Sequence, residues 1–305
     1  MVDPLTRSPM SCSIVVPVKD DAAELRGLLD VLAQQTVPPL EIIVVDNAST
    51  DESAQVATEA GCRVVSQPRP GIAAAAAAGY DAARGDLILR CDADSRPGPT
   101  WVAAHRAAHQ ARSCRRPAPS HRRPAPCRRH RSRPRRRVVA VTGPALFRLP
   151  FPLDLLTSVL YLGGYVLATG AALGHVPLFG TTMSVRRSWW QDVRGSVSTS
   201  PDVHDDMDLS FRVRPHETVR YAPSVMVRMS PRALRWGRLA DVRFSRAAAT
   251  LRRAWAEQTP WDRWAARLEA RGIGGGEKRT RRPQKAESGH PAGPPISPPD
   301  DRAPR

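Results

Sequence analysis

Four short aliphatic runs divide the first ninety residues at a spacing that few folds satisfy. Ser13-Ile14-Val15-Val16-Pro17-Val18, Glu41 to Val45, Val64-Val65 and Asp86 to Cys91 read as strands. Between the first two, Ala22, Leu25, Leu28, Leu29 and Leu32 recur at helical spacing over residues 21–34. A second helix is predicted from Ser49 to about Ala60, where Gly61 stops it, with Ser49-Thr50-Asp51-Glu52 as a capping box. A third, alanine-rich helix is predicted from Gly71 to Ala83. Strands alternating with helices at these intervals predict an α/β fold with a mainly parallel, doubly wound sheet.

Two of the strands end in acids. Val44-Val45 runs into Asp46, and Cys91 into Asp92-Ala93-Asp94. Open α/β sheets bind ligands beyond the carboxyl ends of their strands. Asp92 and Asp94 are two residues apart, so strand geometry turns both to one side, where two oxygen ligands suit Mg²⁺ or Mn²⁺. No basic group is expected beside these acids, and clustered buried charge is costly unless a cation or polar ligand completes it. Each has a plainer reading. Asp46 suits a turn that caps the next helix, and Asp92 and Asp94 suit a solvated loop with Ser95 and Pro97. A third group, His204-Asp205-Asp206-Met207-Asp208, opens a helical stretch over 205–214. There the helix dipole favours acids for structural reasons alone, and a general base is the functional alternative.

The alternation breaks at about Ala111. Residues 111–137 contain twelve Arg, five Pro and no acid, and cannot form a packed element. Twelve of the seventeen net positive charges lie there, so the basic character belongs to one segment and not to the fold. The composition resembles out-of-frame translation of a GC-rich gene. The alternative is an arginine-rich arm for nucleic acid or anionic lipid, but no aromatic residues are interleaved for base stacking, which disfavours nucleic acid. Cys114, His121, Cys127 and His130 match no common zinc-finger spacing. The five cysteines form no C-x-x-C pair and suit a reducing compartment. Met1 to Met10 lack the apolar core of a signal peptide.

Order is predicted to return with a strand at Val138 to Thr142. Further strands are predicted at Leu178 to Val185 and Val219 to Val227, and a basic amphipathic helix over 231–256. No Asp, Glu, Lys or Arg occurs from Leu155 through Val185. Length alone permits a membrane span. A span would place Asp94 and Asp206 on opposite sides of a bilayer, so a buried helix, or one lying on the membrane surface, is expected instead. From Gly272 onward the chain is Gly, Pro and charge, a composition of disorder.

These pieces together resemble the family 2 glycosyltransferases, inverting enzymes with a GT-A fold. The resemblance covers residues 12–110 and 138–240. It rests on Ile14 to Val18, Val44 to Asp51, Gly71-Ile72, Asp92-Ala93-Asp94, Gly180 to Arg187 and Asp205 to Arg212, in that order. It implies a nucleotide-diphospho-sugar donor, a glycan, lipid or small-molecule acceptor, and a Mn²⁺ or Mg²⁺ cofactor. Pro17 and Val18 would line the nucleotide pocket, Asp46 would take the base and Asp92 the ribose side. Asp94 would hold the metal, and Gly180, Thr181, Thr182 and Met183 would border the acceptor. Asp206 would deprotonate it. Residues 1–110 would form the donor half, 111–137 an irregular insert, 138–256 the acceptor half and 257–305 a basic, largely disordered tail. A cytoplasmic protein is expected, peripheral at an anionic inner membrane face. The chain departs from the family in having Ala76-Ala77 where an Arg-Asn pair is usual, Asp205 where Glu is commoner, and only Arg235-Trp236 of the Q-x-x-R-W motif. An impaired GT-A protein that binds nucleotide or nucleic acid is the alternative.

Overall fold

A computed structural model describes residues 10–111, 136–234 and 238–273. The stretch between 111 and 136, which includes the four-residue zinc set, lies outside the described residues, as does the tail beyond 273.

The elements run β1 (Cys12–Val18), α1 (Ala22–Ala33), β2 (Glu41–Asp46), α2 (Ser53–Glu59), β3 (Arg63–Ser66), α3 (Ile72–Ala82), β4 (Leu87–Arg90), β5 (Arg96–Pro97) and α4 (Trp101–Gln110). After the undescribed stretch come β6 (Arg137–Thr142), β7 (Ala145–Phe147), α5 (Leu153–Leu173), β8 (Met183–Arg186), α6 (Arg187–Val193), α7 (Asp205–Phe211), β9 (Glu217–Tyr221), β10 (Val227–Met229), α8 (Arg238–Glu257) and α9 (Pro260–Ala270). Seven strands form one sheet in the order β3-β2-β1-β4-β8-β6-β9, in which β8 runs antiparallel to both its neighbours. The pairs β1·β2, β1·β4, β2·β3 and β6·β9 are parallel. A small second sheet, β5-β10-β7, sits beside it.

Strand β1 is buried along its whole length because it lies mid-sheet with helices on both faces. Its alternate residues serve two cores, as the period of two requires. Ile14, Val16 and Val18 pack with Leu25, Leu28 and Trp101 on one face, while Val15 packs with Ile43, Val45, Ala75 and Trp189 on the other. The alanine-rich helix α3 lies tight against that second face. A Cβ on Gly79 would collide with Val15 and stand 2.8 Å from Val45 Cγ2, so the helix packs closely because it is built of small residues.

Several sequence expectations need correction. The predicted capping box does not form. Glu52 is itself the residue before α2, and Asp51 accepts from the Ser53 N–H at 3.0 Å. The run from Val219 to Val227 is not one strand. A 3-10 turn at Pro223–Val225 sends its two ends into different sheets. The strand predicted at Leu178 to Val185 begins only at Met183, since 177–180 form a loop that serves the site below. The predicted helix over 231–256 opens as a separate 3-10 turn, Pro231–Leu234, before α8.

Helix α5 is not buried. Leu160 and Leu167 are 68% and 75% exposed, and Leu153, Leu156 and Val159 are exposed with them. It is nevertheless fixed to the domain. Ser158 Oγ accepts from the Phe147 N–H at 2.9 Å, and Tyr165 Oη donates to the Leu178 carbonyl at 2.8 Å. Gly174, at φ 71°, ends it in the left-handed conformation that suits glycine.

Order also extends past residue 257, into the region expected to be tail. Thr259 caps α9 with Pro260 in its first turn. The arginines of α9 are not a solvated charge face. Arg267 donates to the Leu173 and Val213 carbonyls at 3.0 and 2.7 Å, and Arg263 to the Phe211 carbonyl at 3.1 Å. These are the carbonyls left over where α5 and α7 end, which a buried cation satisfies well.

Candidate active site

Register places the acids. Val18 pairs with Asp46 and Val15 with Arg90, so the carboxyl ends of β2 and β4 flank that of β1. Asp46 and Asp92 therefore stand on either side of Pro17 and Val18. Asp46 Oδ1 accepts from the Ser49 N–H at 3.0 Å, which fixes the turn after β2 but does not cap α2, since that helix begins only at Ser53. Asn47 reaches over to α3, its Oδ1 accepting from the Gly71 N–H at 2.8 Å.

The acids are not free of basic partners, as had been expected from sequence. Arg90, the last residue of β4, is 3% exposed. Its guanidinium pairs with Asp205 and, at 3.3 Å, with Asp92. Burial opposes the Arg90 charge most strongly, but Asp205, Tyr80, Asp92 and Asp206 together hold the guanidinium well above its ordinary pKa. A Cβ on Gly180 would stand 2.8 Å from Arg90 Nη1, so the loop before β8 passes directly over this cation. From that loop Thr181 Oγ1 donates to Asp92 Oδ2 at 2.8 Å, and the Gly180 N–H donates to Asp206 Oδ2 at 2.8 Å. One network thus joins the end of β4, the 180–181 loop and the start of α7.

Asp206 is 4% exposed, and both its oxygens are engaged. The Gly180 N–H holds one, and His204 Nδ1 lies 2.8 Å from the other. Burial by itself would raise the Asp206 pKa, but the His204 cation and its hydrogen bond hold it below the usual carboxylate range. His204 rises to about 9, as burial is overcome by the Asp206 charge, the hydrogen bond to it and the Asp205 charge together. Asp205 goes the other way, raised by burial and by its neighbour Asp206. Of the two adjacent acids, Asp206 is the one whose charged form its surroundings favour. Asp208 is structural. Its oxygens accept from the Ser198 N–H at 2.9 Å and from Arg212 at 2.8 Å.

Asp94 lies on the other side of the site. Its Oδ2 is 3.1 Å from Arg232, which also forks onto Asp21 at 2.6 and 3.0 Å. Burial and the Asp92 charge still push the Asp94 pKa up. Negative charge there is under-compensated, and the donors are hard oxygens, so the set fits a divalent cation. His204, Asp205 and Asp206 bring a second group of ligand atoms within 4.8 Å of one another. Thr182 and Met183 do not reach the site. Thr182 Oγ1 donates to the Val225 carbonyl at 2.6 Å, and Met183 is buried in the sheet.

A family model described as "Glycosyl transferase family 2" matches residues 13–175, more than half of the chain. The chain belongs to glycosyl transferase family 2. This family 2 chain is 34% identical over 100 residues to an undecaprenyl-phosphate 4-deoxy-4-formamido-L-arabinose transferase of Pseudomonas paraeruginosa, a stretch that is 30% of each chain. It is 48% identical over 52 residues to an uncharacterized glycosyltransferase of Mycobacterium bovis, 17% of this chain and 24% of that one. The matched stretches span less than a third of these curated relatives. Among solved structures, it resembles a mannosyltransferase from Pyrobaculum calidifontis in complex with GDP-Man and Mn²⁺, with TM-score 0.55 and 19% identity over 88% of this chain and 71% of that one. A mycobacterial protein gives TM-score 0.51 and 21% identity over 87% and 76%. The fold is GT-A, with the mainly parallel sheet expected of it.

Three site residues escaped the sequence reading of this family 2 chain: Arg90, His204 as the partner of Asp206, and Arg232. Arg90 carried a signal. A lone arginine in an aliphatic strand is rarely buried unless paired, and so demands a buried acid elsewhere. Arg232 carried none, since it lies 138 residues from Asp94 in a segment read as helix surface.

Proposed function

We propose that this chain moves a sugar from a nucleotide-diphosphate donor to an acceptor hydroxyl, with inversion and with help from a divalent cation. The observation that carries this reading is the buried Asp206 carboxylate, held by Gly180 and His204 and joined through its neighbour Asp205, and through Arg90 and Asp92, to the strand ends. The donor would lie across β1, with Pro17 and Val18 beneath it, Asp46 towards the base and Asp92 towards the ribose. Asp94 would hold Mn²⁺ or Mg²⁺, which would supply positive charge to the departing diphosphate. Gly180 and Thr181 would border the acceptor. The acceptor oxygen forms its bond to the anomeric carbon as the bond from that carbon to the phosphate oxygen breaks. The acceptor proton passes to Asp206, and the nucleoside diphosphate leaves with the bonding electrons. Because His204 holds one Asp206 oxygen, the acceptor hydroxyl must compete with that imidazole for it.

A second reading has one observation in its favour. Arg232 already neutralises one oxygen of Asp94, which suits a protein that binds nucleotide without metal. Calorimetric titration with UDP, GDP and dTDP, with and without Mn²⁺, separates the two. The transferase reading expects binding of one nucleotide that Mn²⁺ tightens at least tenfold, with that gain lost in Asp94→Ala. Binding indifferent to Mn²⁺ would favour the second reading, and no binding by the folded chain would refute both.

A further inference from the structure

A cavity of about 480 Å³ lies between α5 and α8. Tyr161 and Tyr165 form one wall, Phe244, Ala247 and Leu251 the other, and Met207 and His204 also line it. His204 is the residue bonded to Asp206, so this groove adjoins the proposed base. Its walls are overwhelmingly apolar. A sugar or glycan acceptor needs placed hydrogen-bonding partners, and this groove supplies few.

The apolar surface continues outside the groove. Phe244 lines it and is 70% exposed, and the outer face of α5 presents Leu153, Leu156, Leu160 and Leu167. These recur at the three-, four- and seven-residue spacing of a single helical stripe. Soluble proteins rarely leave contiguous surface of this kind without a use. The stripe does not serve a membrane span, because the domain grips α5 along its length. Ser158 fastens its first half and Tyr165 its middle, and the Trp264 indole and Arg267 bond its last carbonyls, at Ala171 and Leu173. Arg243 is the one arginine in the groove lining among the described residues, and its α8 neighbours Arg246, Arg252 and Arg253 add positive charge along the same helix. An anionic group complements that helix.

We infer that the groove between α5 and α8 is an acceptor subsite for an amphiphile, with its hydrocarbon chain between Tyr165 and Leu251 and an anionic, hydroxyl-bearing head by Arg243. The inference rests on Asp206 as the acceptor-facing base and names the acceptor class. It makes α5 the surface on which such a molecule arrives, lying along a lipid layer without crossing it.

The test uses alkyl phosphates of six to twelve carbons, below their micelle concentrations, titrated calorimetrically into the full chain. Inorganic phosphate serves as the headgroup control. Each buried methylene is expected to tighten binding by roughly fourfold until the groove is filled. Arg243→Gln should weaken every member of the series by a similar factor. Ala247→Trp, which fills the groove, should abolish the chain-length dependence and leave nucleotide affinity within twofold. Ala168→Leu is a milder variant for the same purpose, and nucleotide binding certifies the fold of both. Equal affinity for all chain lengths and for phosphate would overturn the inference, as would an unchanged series in both groove variants. A concentration-dependent dimer in sedimentation that Leu160→Glu dissolves, with no alkyl phosphate bound, would assign the surface to a second copy and overturn it too. If nucleotide binding fails while the chain-length series holds, the transferase reading falls and the groove stands.

Discussion

Replacing Arg90 with Met removes the counter-ion of Asp205 and leaves that carboxylate buried. The side chains are 4% and 11% exposed, so solvent offers little compensation. Breaking such a pair from one side typically costs about 3–5 kcal/mol. A second route sets the same ceiling. The stranded carboxyl can escape by taking a proton, and at pH 7 protonating an acid of ordinary pKa near 4 costs about 4 kcal/mol. The expected loss at pH 7 is therefore about 3–4 kcal/mol, a large share of the roughly 5–15 kcal/mol that stabilises a typical domain. The pH dependence follows with its sign. Burial already raises the Asp205 pKa in the wild type, and loss of Arg90 raises it further, so the variant gains stability relative to the wild type as pH falls towards the unfolded value. The deficit against wild type should shrink to about 1–2 kcal/mol at pH 5. Urea denaturation at the two pH values measures it, and Arg90→Met with Asp205→Asn should recover most of the loss. A deficit under about 1 kcal/mol at pH 7 would refute the reasoning, as would a double variant no more stable than the single one.

Asp206→Asn should lower transfer by about a hundredfold or more while nucleotide affinity changes less than threefold, as single-turnover rates beside calorimetry would reveal. Burial keeps His105, His109 and His175 neutral, with pKa values well below 6.5, and His105 Nε2 and His109 Nδ1 have no hydrogen-bond partner among the described residues. Their stabilisation is complete above the unfolded value near 6.5 and is lost as pH falls, about 4 kcal/mol in total between pH 7.5 and 5.5. His204, raised to about 9, works in the opposite sense and offsets about a third of this. A net loss of about 3 kcal/mol should appear in urea midpoints, and a flat profile over that range would contradict the burial argument. Gly79→Ala should cost about 1–3 kcal/mol, because its methyl meets Val15 and Val45. Thermal melts would show it, and a neutral result would mean that α3 can lift from the sheet.

What sequence revealed and what it hid follow one physical division. Period-two and period-3.6 patterns report burial on an element's own faces, so β1, β2, β4, α1 and α3 were legible from Ile14, Val44, Leu89, Leu25 and Ala75. The acids at strand ends were legible because Asp46, Asp92 and Asp94 follow aliphatic runs. Partners that meet only in the folded chain left no such trace. Arg90 and Asp205 are 115 residues apart, and Arg232 and Asp21 are 211. Composition also misled. The uncharged run of α5 left a buried helix and a surface-lying one both open, and its leucines face outward, because a stripe that awaits a lipid and a stripe that fills a core are spelled alike. The basic run of α9 read as tail, because a buried arginine that caps carbonyls looks in sequence like one in water.

Those arginines give the chain a direction in time. Synthesis proceeds from the amino terminus, and domains begin to organise as they emerge. Strands β1 to β4 are complete by Arg90, and Asp206 follows more than a hundred residues later. Until Arg263 and Arg267 are added, the carbonyls of Phe211, Val213 and Leu173 lack the donors that satisfy them. The helix bearing the proposed base is therefore seated last, by side chains that touch neither substrate. A nascent chain stalled before α9 would present the β1–β4 end of the sheet without a settled α7, and chaperones would meet it in that form.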